Sequence, residues 1–146
     1  MESEKIGVGV GVFLEKDGKV LLGRRHKDPE KADSELSGEG TWTLPGGGMK
    51  YKERPEETAR REVKEETSIE VKEKDLKKVS VTDDRNGDVH FITIGFYCDE
   101  FEGEAKVMEP EEIVEWNWFE LNDLPKPVFR PSEKLIEKVK KGERIL

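Results

Sequence analysis

The chain has 146 residues, 41% of them charged, a formal net charge of −8 and a single cysteine. That length fits one domain, 1–146, with its own core and little room for a second. No run of about 18 apolar residues is present, which excludes a membrane-spanning helix. The lone Cys98 excludes an internal disulfide or a multi-cysteine zinc site. The opening residues MESEKIGVGVGVF lack a basic segment and a small-residue cleavage site. No signal peptide is therefore expected, and a reducing, cytoplasmic setting is. No basic stripe stands out, so a stable nucleic-acid partner is disfavoured. Lys and Glu dominate and Gln is absent, a bias that leans toward heat adaptation. Charge this dense can mark a disordered acidic tail. Here the apolar residues come in ordered runs between turn signals, which argues for a folded domain.

Residues 6–14 read as a strand, with Val8, Val10 and Val12 on one face and glycines on the other. A turn at 15–18 returns the chain into a strand over 19–25. Residues 26–40 are polar and read as a long exposed loop, a lid or a cap for a dimer edge. Residues 41–44 are short and apolar, and 45–51 are glycine-rich. A helix starts near Pro55, where proline suits the first position and Glu56 and Glu57 suit the positive end of the dipole. It runs to about Glu66. Strand follows over 71–82, a turn over 83–88, then the most strand-like stretch, 89–101. Residues 113–121 form another strand. A closing helix over 132–141 has Ser132 as N-cap and Leu135, Ile136 and Val139 on one face. The order predicts an α+β fold, an α/β sandwich built on a mixed sheet.

On the central helix, Glu62, Glu65 and Glu66 stand at i, i+3 and i+4, which puts all three carboxylates on one face. Like charges so close repel unless a cation sits among them. A hard divalent ion suits them, since Mg²⁺ prefers oxygen ligands and bridges to substrate phosphates. The glycines before the helix offer backbone that can approach that ion. Arg61 is adjacent and can orient a carboxylate. Taken alone, such a triplet in a Glu-rich chain reads more readily as a solvated helix face; the flanking residues change that.

Gly47, Glu53 and Arg61-Glu62-Val63-Lys64-Glu65-Glu66-Thr67-Ser68-Ile69 closely resemble the Nudix box, a spaced signature covering 47–69. Every specified position is met except one: Ser68 stands where the family has glycine. The preceding Trp42-Thr43-Leu44-Pro45-Gly46 is also typical of Nudix proteins. Glycine at that position would end the helix in a left-handed conformation, which costs serine on the order of 1 kcal/mol. The expected effect is lost stability or a shifted cap, with the chemistry kept.

The resemblance implies the Nudix fold and hydrolysis of a nucleoside diphosphate linked to another group, with Mg²⁺ or Mn²⁺ as cofactor. By position it implies Glu62, Glu65 and Glu66 as metal ligands, joined by the carbonyl of Gly46 or Gly47, and an orienting ion pair between Glu53 and Arg61. It leaves the general base open. Arg24 and Arg25, closing the second strand, are candidates for the phosphates, Arg25 above all. Outer segments, among them 7–12, 20–25, 90–94, 109–112 and 116–118, are similar to the nucleoside triphosphate diphosphatase branch, which implies a (d)NTP substrate. There Phe129 is the candidate that stacks on the base. Cleavage of ADP-ribose, a nucleotide sugar or a dinucleoside polyphosphate is the alternative, and a nucleotide sensor without turnover is a reading of another class. Trp116 and Trp118 share a face and read as packing. His26 and His90 lack ligand spacing, Cys98 reads as a small buried group, and Glu109, Glu111 and Glu112 read as an exposed loop, with an extra ligand or base as the alternative. Between a monomer and a homodimer the sequence does not choose.

Overall fold

The computed structural model describes residues 5–28 and 38–143. Most of the predicted loop 26–40 lies outside the described residues. Strand β1 (Ile6–Lys16) turns at Asp17-Gly18, both at positive φ, into β2 (Lys19–Arg25). β3 (Trp42–Thr43) and β4 (Gly46–Gly48) precede the helix α1 (Pro55–Thr67). Then come β5 (Glu70–Val71), a 3-10 turn at Glu73–Asp75, β6 (Lys77–Asn86), β7 (Val89–Cys98), β8 (Phe101–Glu102), β9 (Ile113–Glu120) and the helix α2 (Arg130–Lys140).

The main sheet runs β3-β2-β1-β7-β6, with β4 added to β1 and β9 to β2. It is mixed: β1 lies parallel to β7 and antiparallel to β2 and β4. β5 and β8 form a separate two-stranded piece. One helix covers each face. Val10, Val12, Leu14 and Phe96 pack with Ala59 and Val63 of α1. Phe13, Val20, Leu22 and Leu44 pack with Leu135 and Ile136 of α2. The α+β sandwich expected from the order of elements is therefore present, and alternation along β1 feeds both cores. The glycine face of β1 looks toward α2: a Cβ on Gly11 would stand 3.7 Å from Leu135.

Several local expectations shift. The glycine-rich stretch contains a strand: Gly46–Gly48 pairs with Gly9–Gly11 of β1. Glycine is depleted in strands, so only the tertiary pairing reveals it. β6 runs on through Asp83 to Asn86, because its partners on β7 continue to Val89, and the turn shrinks to Gly87-Asp88. The stretch 71–82 is broken by the 3-10 turn at Glu73–Asp75, and 89–101 is broken after Cys98. Ser132 is not the N-cap of α2, since Phe129 holds that position. The Ser132 hydroxyl instead accepts from Leu44 N at 2.9 Å and lies 3.1 Å from Thr43 Oγ1, tying α2 to the β3–β4 segment.

Candidate active site

The box helix is anchored at its start by Arg61. Its Nε and Nη2 donate to Glu53 Oε2 and Oε1 at 2.8 and 2.9 Å. Nη2 also reaches Gly48 O at 3.1 Å, and Nη1 stands 3.3 Å from Glu65 and 3.4 Å from Glu62. A planar fork can hold several oxygens at once, which a lysine cannot. Glu53 also accepts from Thr58 Oγ1 at 2.6 Å and Lys50 N at 3.0 Å. The hydrogen bond from Arg61 holds its carboxyl down at about 2. The ion pair implied by the resemblance is thus present, and it joins the approach loop, β4 and α1. At the other end, Ser68 caps the helix in the left-handed region (φ 72°, ψ −2°), with its N–H on Lys64 O. The helix stop is not shifted.

Between these ends, α1 lies against β4. The backbone groups of Pro45 and Met49 face β1: Val12 N donates to Pro45 O, and Met49 N to Val8 O. Those of Gly46 and Gly48 face the helix: Gly46 N donates to Glu66 Oε1 at 2.9 Å, and Gly48 O accepts from Arg61. A Cβ on Gly47 would overlap the Glu62 carboxylate, so the absence of a side chain lets that carboxylate lie on the strand. The Gly46 N–H thus meets a carboxylate, whereas Gly47 O lies against β1, 2.6 Å from where a Cβ on Gly9 would stand.

The three predicted carboxylates are not equivalent. Glu62 and Glu66 are withdrawn against β4, whereas the Glu65 side chain is 43% exposed beside Arg61. Burial raises the Glu62 carboxyl to about 7, with Arg61 opposing and Glu65, Glu109 and Glu112 reinforcing. Burial lifts Glu66 well above the ordinary range; the Gly46 bond opposes, and Glu62, Glu109 and Glu112 reinforce. Glu109 and Glu112 are half-buried and act on this cluster, in place of the exposed loop the sequence favoured; of the three only Glu111 is exposed. Trp116 Nε1 donates to Glu66 O at 3.1 Å and so pins the last turn of α1. Its alternation with Trp118 suggested only packing.

A cleft of about 410 Å³ opens beside Glu66, walled by Arg25, Thr93, Glu112, Phe129 and Leu135. Arg25 is 5% exposed, and its guanidinium lies 4.6 Å from the centre of the Phe129 ring. Burial lowers its pKa, against the pull of Glu39, Glu112 and Glu66. Arg24 points elsewhere, to Glu115 at 3.1 Å, because neighbours on a strand face opposite sides. His26 accepts from Asp28 N and His90 stands 3.6 Å from Asp83, both outside the cleft. Cys98 is buried, as expected.

The NUDIX domain family model matches residues 5–139. This chain belongs to the Nudix family. A Methanocaldococcus jannaschii protein named ADP-ribose pyrophosphatase is 38% identical to this Nudix chain over 130 residues, 89% of the chain and 70% of its own length. The nucleoside triphosphatase NudI of Escherichia coli is 28% identical over 121 residues, 77% of this chain and 80% of its own. The crystal structure of a MutT Nudix hydrolase from Burkholderia pseudomallei has a TM-score of 0.81 at 31% identity, covering 93% of this chain and 99% of that one. The Nudix fold is therefore established from both directions.

Nudix proteins generally work with a divalent cation, and the donor set here fits one. Glu62 and Glu66 are crowded, partly desolvated carboxylates whose mutual repulsion Arg61 relieves only at one edge. All the nearby donors are oxygens, the hard type that Mg²⁺ and Mn²⁺ prefer. Among the described residues, no three acidic, His or Cys groups already converge on one point. No described helix is long and apolar enough to cross a membrane.

Proposed function

We propose that this Nudix chain hydrolyses the phosphoanhydride of a nucleoside diphosphate derivative, with (d)NTP to (d)NMP plus pyrophosphate as the leading reaction. The observation that carries this reading is the pair of withdrawn carboxylates, Glu62 and Glu66, on the strand Gly46–Gly48 at the mouth of a cleft walled by the buried Arg25. Glu62, Glu66, Glu65 and the Gly46 carbonyl would hold Mg²⁺ or Mn²⁺, which supplies charge neutralisation and a lowered pKa of water when bound. Arg61 and Glu53 position α1 against β4 and so set the spacing of the two inner carboxylates. Gly47 leaves room for the Glu62 side chain. Arg25, at the same end, offers the phosphates a fixed cation that water screens poorly. One face of the Phe129 ring is engaged by Arg25, so Phe129 stacks the guanidinium at this end of the cleft. Catalysis of this type needs positioning and charge stabilisation more than covalent chemistry.

The Methanocaldococcus jannaschii relative favours ADP-ribose as a second reading. A panel of (d)NTPs, ADP-ribose, nucleotide sugars and dinucleoside polyphosphates with Mg²⁺, with products identified, separates them. NMP plus pyrophosphate supports the leading reaction. NMP plus ribose 5-phosphate supports the second. Failure to release pyrophosphate from every NTP sinks the first.

A further inference from the structure

Arg25 carries its charge into the protein, and a buried guanidinium is costly unless its surroundings fix it. Glu39, Glu112 and Glu66 all attract this one. Left free, a long cationic side chain in such company pairs with a carboxylate. Arg25 instead lies over the Phe129 ring, and both residues line the cleft. What holds the guanidinium there is a backbone, not a carboxylate.

Gly38 is buried, although the sequence placed it in an exposed loop. A Cβ built on it would stand 1.7 Å from Arg25 Nη1 and 2.6 and 2.7 Å from two carbons of the Phe129 ring. Gly38 therefore abuts the guanidinium and the ring together, at one edge of their stack. Unlike Gly40, at φ 77°, it does not have a positive φ, so glycine is needed here for space and not for backbone conformation. Its backbone cannot withdraw freely. Gly38 O accepts from Thr41 N at 3.0 Å and from the Thr41 hydroxyl. Thr41 O accepts from Arg25 N at 2.8 Å, and Gly40 N donates to His26 O at 3.0 Å, so residues 38–41 are bonded to the end of β2. The next residue, Trp42, donates to Pro127 O at 2.9 Å and accepts from Phe129 N at 2.8 Å. Strand end, turn and ring form one hydrogen-bonded unit around the guanidinium.

We propose that Gly38 is a positioning residue for substrate binding: by closing the edge of the stack between Arg25 and Phe129, it aims the Arg25 guanidinium at the substrate phosphates. Gly38 does not itself line the cleft, so it acts through Arg25. A planar guanidinium held by one face and one edge presents its remaining donors in a fixed direction, which a lysine ammonium could not do. A cation fixed in this way meets the phosphates before and during the reaction alike. Its displacement should therefore appear in KM more than in kcat. The inference rests on the reading that Arg25 binds the phosphates, and holds for a triphosphate or for ADP-ribose.

The test is a double-mutant cycle on KM and kcat with Mg²⁺, using whichever of ATP and ADP-ribose the wild type cleaves. Arg25→Met should raise KM by about tenfold to a hundredfold, the worth of a hydrogen bond to a charged group. Gly38→Ala should raise KM by about tenfold, as for coupled neighbours, with kcat within a factor of about two and a native circular dichroism spectrum. In the Arg25→Met background, Gly38→Ala should change KM by less than about twofold, since no guanidinium is left to misplace. A wild-type KM in folded Gly38→Ala, or an undiminished effect in the Arg25→Met background, overturns the inference and leaves the proposed function standing. Should Gly38→Ala fail to fold, Phe129→Leu removes the stacking face instead. KM must then rise, and must not rise further in the Arg25→Met background; either failure has the same force. An unchanged KM in Arg25→Met removes the phosphate role of Arg25 and the inference with it. Cleavage of neither compound overturns the proposed function instead. Calorimetric Kd values for ATP across the same proteins then decide the inference, and equal values in the wild type and Gly38→Ala overturn it.

Discussion

Gly46 donates its backbone N–H to Glu66 Oε1 at 2.9 Å, so the box helix and the glycine strand meet at a carboxylate that burial lifts well above its ordinary pKa. The bond holds Glu66 in place without neutralising it. In Glu66→Gln the amide oxygen can still accept from Gly46, so the fold should persist with an unchanged circular dichroism spectrum. Turnover with Mg²⁺ should fall by at least about 100-fold, as expected when a charge at the reacting centre is lost. Glu62→Gln should behave alike. Near-normal initial rates in both would remove the assignment of these carboxylates.

The pH dependence of the metal-free protein should carry the mark of Glu62. Its folded pKa, about 7, is above the ordinary 4.5 of a glutamate, so between these values the folded state binds more protons than the unfolded. Stability from this group is complete below pH 4.5 and declines as pH rises to 7, by on the order of 1–3 kcal/mol. Chemical denaturation in chelator at pH 5 and pH 7 measures it. Added Mg²⁺ should raise the melting temperature more at pH 7.5 than at pH 5, since a ligand must be deprotonated. In Glu62→Gln the chelator trend should flatten.

Glu53 acts in the opposite direction. Its folded pKa is depressed to about 2 by Arg61, so its contribution is present above pH 4.5 and is lost as pH falls through 2. Glu53→Gln should therefore destabilise the protein at neutral pH by about 1–2 kcal/mol, through loss of a charge-assisted fork. The penalty should shrink toward pH 2. A guanidinium titration at pH 7 and pH 2.5 reads the difference.

Ser68→Gly should stabilise the protein by about 1 kcal/mol, because Ser68 sits at φ 72° and glycine has no Cβ to strain there. Its side chain does not enter the cleft, so kcat/KM should stay within a factor of two, of the order of the scatter between distant sites. A lower denaturation midpoint in Ser68→Gly would contradict the left-handed cap.

Gly47→Ala probes the contact between strand and helix. The new methyl group would overlap the Glu62 carboxylate, and backbone paired to β1 cannot retreat freely. Activity should fall by at least about tenfold, as for a misplaced supporting group at a metal site, with a smaller change in melting temperature. Gly48→Ala meets nothing within 4 Å and serves as the control, with activity retained.

The sequence by itself determined the features that rest on local spacing. Glu62, Glu65 and Glu66 share a helix face because the α-helical period is fixed. Pro55 marked the helix start, and the strained cap at Ser68 followed from the one departure in the box. The pairing of Glu53 with Arg61 was legible through the family resemblance, and the alternation of valine and glycine along β1 did assign its two faces. What crosses the chain was decided only by the tertiary structure. Gly46–Gly48 is a strand because β1 pairs with it, not because glycine prefers one. Burial on that strand separates Glu62 and Glu66 from the exposed Glu65, a difference equal spacing cannot express. Trp116 reaches Glu66 across 50 residues, Arg25 turns inward while Arg24 turns out, and Lys134 meets Asp84 from the other side of the fold. Periodicity specifies which side of an element a residue takes. The packing of elements specifies what it meets there, and desolvation then sets whether that meeting is structural or chemical.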